Sequence, residues 1–289
     1  MLGNHVSLQT EELRRFVADR PPESWREAST RTIVVGSGKG GSGASTIAAL
    51  LGLGMAEAGR RTLLVDGDDA IGALHHLFGI PSASDALLRQ DDPDGEIIWV
   101  ADRLALLPGG SVRHRVEAVR TTPVHRSAFY RRIMPMAVTF DVLIVDAGSR
   151  LDSVVAATST HAARYIAVSG IEPAALAASY ALVKALEQRV PEAQVELLVN
   201  GHDEVSALTA FQHVFTATEQ FLGRDLTYAG TIPACQSLRV AILSGRSLDD
   251  VDRNASATAA ARTLARRLLN DLDRDASAPS DTRRHLRRA

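Results

Sequence analysis

The residues best suited to chemistry are the glycines, hydroxyls and lysine within residues 38–46, which read GKGGSGAST. Glycines let a backbone turn several N–H groups toward one point, and the N-terminus of a following helix adds a positive partial charge. Such a loop binds phosphate. The pattern G-x(4)-G-K-[ST] is met by Gly38, Gly43 and Ser45, but Ala44 stands where the pattern has its lysine.

Two elements must hold this loop in place. Residues 32–36 are uncharged and mostly β-branched, which predicts a buried strand, and residues 44–58 are rich in small and apolar side chains, which predicts a helix. A strand, a glycine loop and a helix start in this order predict a phosphate-binding loop. The alternative, a glycine-rich loop that binds nothing, is disfavoured by the two flanking elements.

Carboxylates follow two other apolar strands. The run 62–66 ends at Asp66, with Asp68 two residues on, and the run 141–146 ends at Asp146. Carboxylates near a phosphate site are costly unless a cation or an attacking water uses them, and Mg²⁺ accompanies nucleotides in this way. The sequence therefore predicts a magnesium-nucleotide site, with an acidic turn at a strand end as the alternative for the first pair.

From residue 32 onward, apolar strands alternate with helical stretches. This alternation predicts an α/β fold with a doubly wound, mainly parallel sheet and helices on both faces, whose ligand lies beyond the carboxyl ends of the strands. The predicted strands are 32–36, 62–66, 104–107, 141–146, 165–169, 195–200 and 227–232. The predicted helices are 44–58, 125–137, 153–162, 173–189, 206–222, 236–244 and 256–272.

Composition divides the chain into three regions and limits its partners. We expect an N-terminal helical arm and linker over 1–30, the α/β domain over 31–272 and an arginine-rich flexible tail over 273–289. The net charge of −2 argues against a surface coated with nucleic acid. Cys235 is the only cysteine, which excludes a disulfide within the chain and favours a reducing cytoplasm. We expect its thiol to be packed and unactivated.

The glycine loop resembles the deviant Walker A box, K-G-G-x-G-K-[ST]-T, of the MinD/ParA family of P-loop ATPases, with seven of its eight positions met. The resemblance covers about residues 31–272. It implies a homodimer that binds ATP or ADP with Mg²⁺, in which the early lysine crosses to the partner's nucleotide. By this match the phosphate-binding residues are Gly38, Lys39, Gly40, Gly41, Ser42, Gly43, Ala44, Ser45 and Thr46.

The same resemblance implies roles for the charged side chains. Lys39 would be catalytic from across the dimer interface, and Asp68 would orient the hydrolytic water. Asp66 would support the magnesium shell, and Asp146, which ends a Walker B strand, would hold a magnesium-bound water opposite the Ser45 hydroxyl. Magnesium is therefore expected between the side chains of Ser45, Asp66 and Asp146.

Resemblance also implies a site for the base and a changed switch loop. Asn200 ends the strand 195–200, where the family places an asparagine on the adenine ring, and Pro233 would pack beside the base. A strand-end cap is the alternative for the asparagine. Arg150 replaces the last glycine of the family's switch II, and a residue other than glycine would restrict how far that loop reshapes on hydrolysis.

Within the family, the FlhG branch, which controls flagellar number, is the most similar. Stretches 169–186 and 221–233 resemble it. So does the N-terminal segment, where Gln9, Leu13 and Arg14 match a motif that activates the GTPase FlhF. The resemblance thus implies an FlhF-like partner, and the alternative is that the short helix over 7–18 packs on its own domain.

Three functions remain open at this stage. The first is an ATP-binding regulator that dimerises on nucleotide and controls a polar assembly such as the flagellum, with slow or absent hydrolysis because Ala44 lacks a charge. The second is a pseudo-ATPase that only binds partners. The third is a positioning ATPase with no flagellar role. The tail has a single large apolar residue, Leu286, which allows only weak peripheral contact with the inner face of the membrane.

Overall fold

The computed structural model describes residues 31–67, 74–81, 97–108, 139–151, 154, 157, 164–191 and 193–277. Of the helix predicted over 153–162, only Val154 and Ala157 are described, and both are helical. Other predictions lie outside the described residues, namely those for Gln9, Leu13, Arg14, Asp68, the helix 125–137 and the tail from residue 278 onward.

Eight strands in the described part of the chain form one sheet in the order β3-β4-β2-β5-β1-β6-β7-β8. Every neighbouring pair is parallel except β3 and β4. The predicted doubly wound, mainly parallel sheet is confirmed. The strands are β1 (Thr32–Ser37), β2 (Thr62–Asp66), β3 (Ile98–Ala101), β4 (Leu104–Leu107), β5 (Val142–Asp146), β6 (Arg164–Ser169), β7 (Val195–Asn200) and β8 (Thr227–Ile232).

Helices cover both faces of this sheet. Along β1, Ile33 and Val35 belong to an apolar layer shared with α1 and α6, whereas Val34 belongs to a second layer shared with α3. The helices with described bounds are α1 (Ala44–Glu57), α2 (Leu74–Leu77), α3 (Pro173–Arg189), α4 (Glu204–Leu222), α5 (Gln236–Leu243) and α6 (Ser256–Ser277), with a 3₁₀ turn at Leu248–Asp250. No helix in the described ranges has the length and apolar character needed to cross a membrane.

Helix α1 is buried along most of its length because it lies between the sheet and α6. Its small residues permit that position. A Cβ added at Gly54 would lie 2.9 Å from the Ala265 Cβ of α6, so a larger side chain would push the two helices apart. The tight packing fixes the start of α1, and with it the glycine loop that precedes the helix.

Helix α6 runs to Ser277, beyond residue 272 where we predicted its end. Its last turns carry carboxylates that contact arginines from other elements. Asp273 pairs with Arg60 at 2.6 Å, and Asp275 pairs with Arg164 at 3.1 Å. These contacts join distant parts of the chain, so the local sequence pattern gave no sign of them.

Candidate nucleotide-binding site

The glycine loop is closed by its own hydrogen bonds. The Ser37 and Ser42 hydroxyls both donate to the Lys39 carbonyl, each at 2.9 Å. Gly41 (φ 83°) and Gly43 (φ 88°) adopt left-handed backbone conformations that favour glycine. The loop therefore curls back on itself between β1 and α1, as a phosphate-binding loop must.

The first turn of α1 faces this loop with free backbone donors. Gly43 caps the helix without a side-chain hydrogen bond, and its carbonyl accepts from Ile47 N at 2.9 Å. Ala44 is 6 % exposed and packs in the apolar layer, whereas Ser45 and Thr46 are half-buried. The helix N-terminus supplies partial positive charge at the point where a lysine would supply a full one.

Lys39 is exposed at the outer side of the loop. No carboxylate in the described part of the chain forms an ion pair with its ammonium group, although arginines pair with carboxylates elsewhere in the fold. An exposed lysine on the rim of the loop is accessible to a ligand or to a second copy of the chain. Its predicted role across a dimer interface stays a prediction.

Two neighbouring elements press against the loop. A Cβ added at Gly38 would lie 2.2 Å from the carbonyl oxygen of Ala178 on α3, so only glycine fits there. On the other side, Ser37 N donates to the Gly148 carbonyl at 2.9 Å. Gly148 and the exposed Arg150 belong to the loop after β5, which therefore contacts the end of β1 where the phosphate loop begins. Through this hydrogen bond, a conformational change in the loop after β5 would move the start of the phosphate loop.

The predicted carboxylates lie side by side. Asp66 and Asp146 end the neighbouring strands β2 and β5, are register partners and are each 1 % exposed. Asp66 accepts a hydrogen bond from Leu74 N at 3.2 Å, and Asp146 accepts one from Gly148 N at 3.0 Å. Two adjacent buried carboxylates repel each other unless a cation or a proton lies nearby, so the pair suits a divalent metal.

This pair fits Mg²⁺ together with a nucleotide better than a self-contained metal site. Within the described residues, no group of three or more His, Cys, Asp or Glu side chains is arranged to hold a metal. Mg²⁺ commonly takes one or two carboxylates and completes its shell with phosphate oxygens and water. The predicted ligands Ser45, Asp66 and Asp146 would bind Mg²⁺ in that mode, and their role as ligands stays a prediction.

Asn200 and Pro233 lie at the same end of the sheet, as the prediction for the base site requires. Asn200 pairs in register with Ile232, the residue that precedes Pro233. The Asn200 amide nitrogen donates to the Ser42 backbone carbonyl at 3.0 Å. This hydrogen bond to the phosphate loop was not predicted, and the expected contact of Asn200 with a base stays a prediction.

The sequence reasoning missed Tyr165 on β6. Its side chain is fully buried, and its hydroxyl makes no hydrogen bond in the described part of the fold. Burial, together with the nearby Asp146 carboxylate, raises the pKa of this hydroxyl well above its ordinary value. A Cβ added at Gly36 would lie 2.6 Å from the hydroxyl oxygen. The only sequence signal is a tyrosine at the start of the apolar run of β6.

Cys235 differs from the prediction of an unactivated thiol. It is half-buried at the start of α5, close to Pro233 in sequence. Burial alone would raise its pKa, but hydrogen bonds from the Ser237 hydroxyl and from the backbone N–H groups of Leu238 and Ala257 outweigh burial and lower the pKa to about 7. The donors come from two helix starts that only the tertiary fold brings together.

Comparisons with known proteins agree with this geometry. A family model described as cellulose biosynthesis protein BcsQ matches residues 31–269. The antiactivator FleN of Pseudomonas aeruginosa is 26% identical over 242 residues, which cover 81% of this chain and 85% of FleN.

Among solved structures, a ParA family ATPase from Chlorobium tepidum superposes with a TM-score of 0.65 at 22% identity, covering 82% of this chain and 98% of that one. The septum site-determining protein MinD of Pyrococcus horikoshii, solved with Mg-ADP, superposes with a TM-score of 0.62 at 18% identity, covering 82% and 95%. These likenesses establish the fold. The chain belongs to the BcsQ family and has the fold of the MinD/ParA P-loop NTPases.

Proposed function

We propose that this protein is a nucleotide-dependent regulator of the MinD type, which binds Mg·ATP, dimerises on it and hydrolyses it slowly or not at all. The observation that carries the proposal is the buried pair of Asp66 and Asp146 at the ends of neighbouring strands, beside a closed glycine loop. A buried carboxylate pair next to an anion-binding loop is suited to a metal-bound polyphosphate.

ATP is the proposed nucleotide because of the residues at the rim of the site. Asn200 and Pro233 end β7 and follow β8, where they would contact the base. The ParA family protein that shares the fold is named as an ATPase, and the MinD protein that shares it was solved with Mg-ADP. Asp68 would orient the hydrolytic water, as the resemblance implies.

Slow hydrolysis follows from Ala44. A lysine at this position would make a charge-assisted contact worth roughly 1.5–3 kcal/mol with the nucleotide, and more in the transition state, where charge develops. Lys39 is the remaining lysine of the loop, and it would act on the nucleotide of the partner subunit. The site would therefore hold ATP for long periods and act as a switch.

The controlled assembly is proposed to be polar and associated with the membrane. The FlhG-like stretches and the relationship to FleN favour the flagellum, with Gln9, Leu13 and Arg14 contacting an FlhF-like GTPase. The match to the BcsQ family model favours a second candidate, the machinery of cellulose biosynthesis. For both candidates we place the protein in the cytoplasm, with weak peripheral contact at the inner face of the membrane.

The first experiment compares wild type with Ala44→Lys for Mg·ATP binding, ATP hydrolysis and oligomer size. We expect wild type to bind ATP and form dimers with little turnover, and the variant to hydrolyse ATP faster. Equal and rapid turnover by both proteins would contradict the proposed slow hydrolysis. If wild type does not bind ATP at all, the proposal of a nucleotide switch fails.

Lys39→Ala tests the contribution of the single lysine in the phosphate loop. Lys184→Ala is its matched control, because Lys184 is the only other lysine of the chain and is exposed on α3. We expect the first change alone to weaken ATP-dependent dimerisation.

To separate the two assemblies, flagellar number and secreted cellulose are measured in a deletion strain complemented with wild type or with Gln9→Ala. A defect in flagellar number alone supports the first candidate, and a defect in cellulose alone supports the second.

A further inference from the structure

The asparagine that ends β7 contacts the phosphate loop itself. Asn200 Nδ2 donates to the Ser42 backbone carbonyl at 3.0 Å, and because a carbonyl oxygen only accepts, the NH₂ group must face the loop. Gly43 leaves room for this contact, since a Cβ added there would lie 2.3 Å from the same nitrogen. The side chain reaches across β6, which separates β7 from β1 in the sheet.

The backbone around Asn200 is itself held. The Thr231 hydroxyl of β8 lies 2.9 Å from the Val199 carbonyl oxygen and 3.0 Å from that of His202, so it contacts the chain on both sides of the asparagine. A side chain that extends from an anchored backbone loses little conformational entropy when it makes its hydrogen bond. The Asn200 side chain therefore extends from an ordered backbone and can restrict the motion of the loop through its hydrogen bond.

Holding the Ser42 carbonyl also sets the direction of the next N–H. The carbonyl of Ser42 and the N–H of Gly43 belong to one planar trans peptide group and point in opposite directions. The described residues contain no cis peptide bond. Because the carbonyl points toward Asn200, the Gly43 N–H points away from β7 and remains available to an anion. Gly43 keeps the φ of 88° that this arrangement needs.

We propose that Asn200 is a positioning residue of the phosphate loop, which fixes the Ser42–Gly43 peptide so that the Gly43 N–H is presented to a polyphosphate. The proposal rests on the proposed function, in which this loop binds a nucleotide. The backbone donors matter more here than in a phosphate loop that has a lysine at the position of Ala44, because alanine contributes no charge. A contact with the base, if Asn200 also makes one, uses the other groups of the same amide.

The first arm of the test needs no ligand. Backbone ¹⁵N relaxation of Gly40, Gly41 and Gly43 is measured in the full-length, nucleotide-free protein for wild type and for Asn200→Ala. We expect the order parameters of these glycines to fall in the variant. Asn270→Ala, an exposed asparagine on α6, is the matched control and should leave them unchanged. Unchanged order parameters in Asn200→Ala would overturn the proposal.

The second arm separates the phosphate loop from the base. The dissociation constants of Mg·ATP and of Mg·tripolyphosphate, which has no base, are measured for the same proteins. Loss of one hydrogen bond that orients the loop should weaken both ligands by a similar factor, roughly three- to tenfold. Asn200→Asp, which cannot donate to the carbonyl, should weaken both at least as much. Urea unfolding confirms that each variant is folded.

The outcomes distinguish this proposal from the proposed function. If Asn200→Ala weakens ATP but not tripolyphosphate, the asparagine acts on the base alone and the positioning role is wrong. If wild type binds neither ligand, the nucleotide function fails, and the relaxation measurement alone then decides whether Asn200 orders the loop. Matched losses for both ligands together with a looser loop support the proposal.

Discussion

Asp66 and Asp146, at the carboxyl ends of the strands, are each 1 % exposed and accept hydrogen bonds from backbone N–H groups. Glu196, near the amino ends, is equally buried, but its carboxylate contacts two guanidinium groups, Arg164 at 2.9 Å and Arg267 at 2.5 Å. Both ends of the sheet thus bury negative charge, which contacts backbone N–H groups at the carboxyl ends and two guanidinium groups near the amino ends.

The difference separates a structural ion network from a candidate binding site. Arg164 and Arg267 lie on β6 and α6, so the network around Glu196 ties the last helix to the sheet. At the carboxyl ends, negative charge meets the dipoles of backbone N–H groups and the loops that carry them. Backbone dipoles contribute to the stabilisation of Asp66 and Asp146, whereas Glu196 contacts two full positive charges.

The largest effect is expected at the amino ends. Glu196→Ala removes the most buried carboxylate from Arg164 and Arg267, which keep Asp275 and Asp271 as partners, so the free energy of unfolding should fall by about 3 kcal/mol, the lower end of the range for a broken buried pair. Urea denaturation measures this loss, and Glu219→Ala, an exposed glutamate on α4, is the control. A loss no greater than that of the control would show that the network does not hold α6 to the sheet.

Asp146→Asn should lower ligand binding and leave the stability of the fold intact, which is the reverse of what is expected for Glu196→Ala. Removing one of two adjacent carboxylates weakens Mg-dependent ATP binding by more than about tenfold, because a charge-assisted contact is worth roughly 1.5–3 kcal/mol. The free energy of unfolding should hold or rise, since repulsion from Asp66 is relieved. Calorimetric titration with and without Mg²⁺ gives the first quantity and urea denaturation gives the second. A large loss of stability would make Asp146 a structural residue like Glu196.

Added side-chain atoms near the carboxyl ends of the strands should change the free energy of unfolding by a smaller amount. A Cβ at Gly36 would lie 2.6 Å from the Tyr165 hydroxyl and 3.1 Å from the Gly148 carbonyl oxygen, so Gly36→Ala should cost about 1–3 kcal/mol of unfolding free energy. Tyr165→Phe removes a buried hydroxyl without a described partner and should raise stability by about 1 kcal/mol. Thermal or urea unfolding of the double variant tests the contact, because additive effects would argue against it.

The smallest effect concerns Cys235, whose thiolate is stabilised by donors as the site carboxylates are. Since its folded pKa of about 7 lies below the ordinary value of 9.0, thiolate formation adds stability that is complete above pH 9 and is lost as the pH falls through 7. The rate of alkylation by iodoacetamide should reach half its maximum near pH 7, with Cys235→Ser as the unreactive control. A midpoint near pH 9 would show that the donors do not act on the sulfur.

The sheet was largely predictable because its strands are continuous apolar runs flanked by clear turns. Four of the seven predicted strands have the predicted bounds, 62–66, 104–107, 195–200 and 227–232, and the other three differ by a single residue at one end. The strand β3 (Ile98–Ala101) was missed, since four residues carry little pattern and their antiparallel pairing with β4 is decided by contact.

The sequence alone determined the glycine loop, the strand-end carboxylates and the absence of a lysine at Ala44, because each depends on residue types at short spacing. Only the tertiary structure decided which distant groups meet. It placed Asn200 on the Ser42 carbonyl, the Tyr165 hydroxyl beneath Gly36 and the Ala257 N–H within reach of Cys235. These contacts join residues tens to more than a hundred positions apart, whose meeting follows from strand order and helix packing and leaves no local pattern.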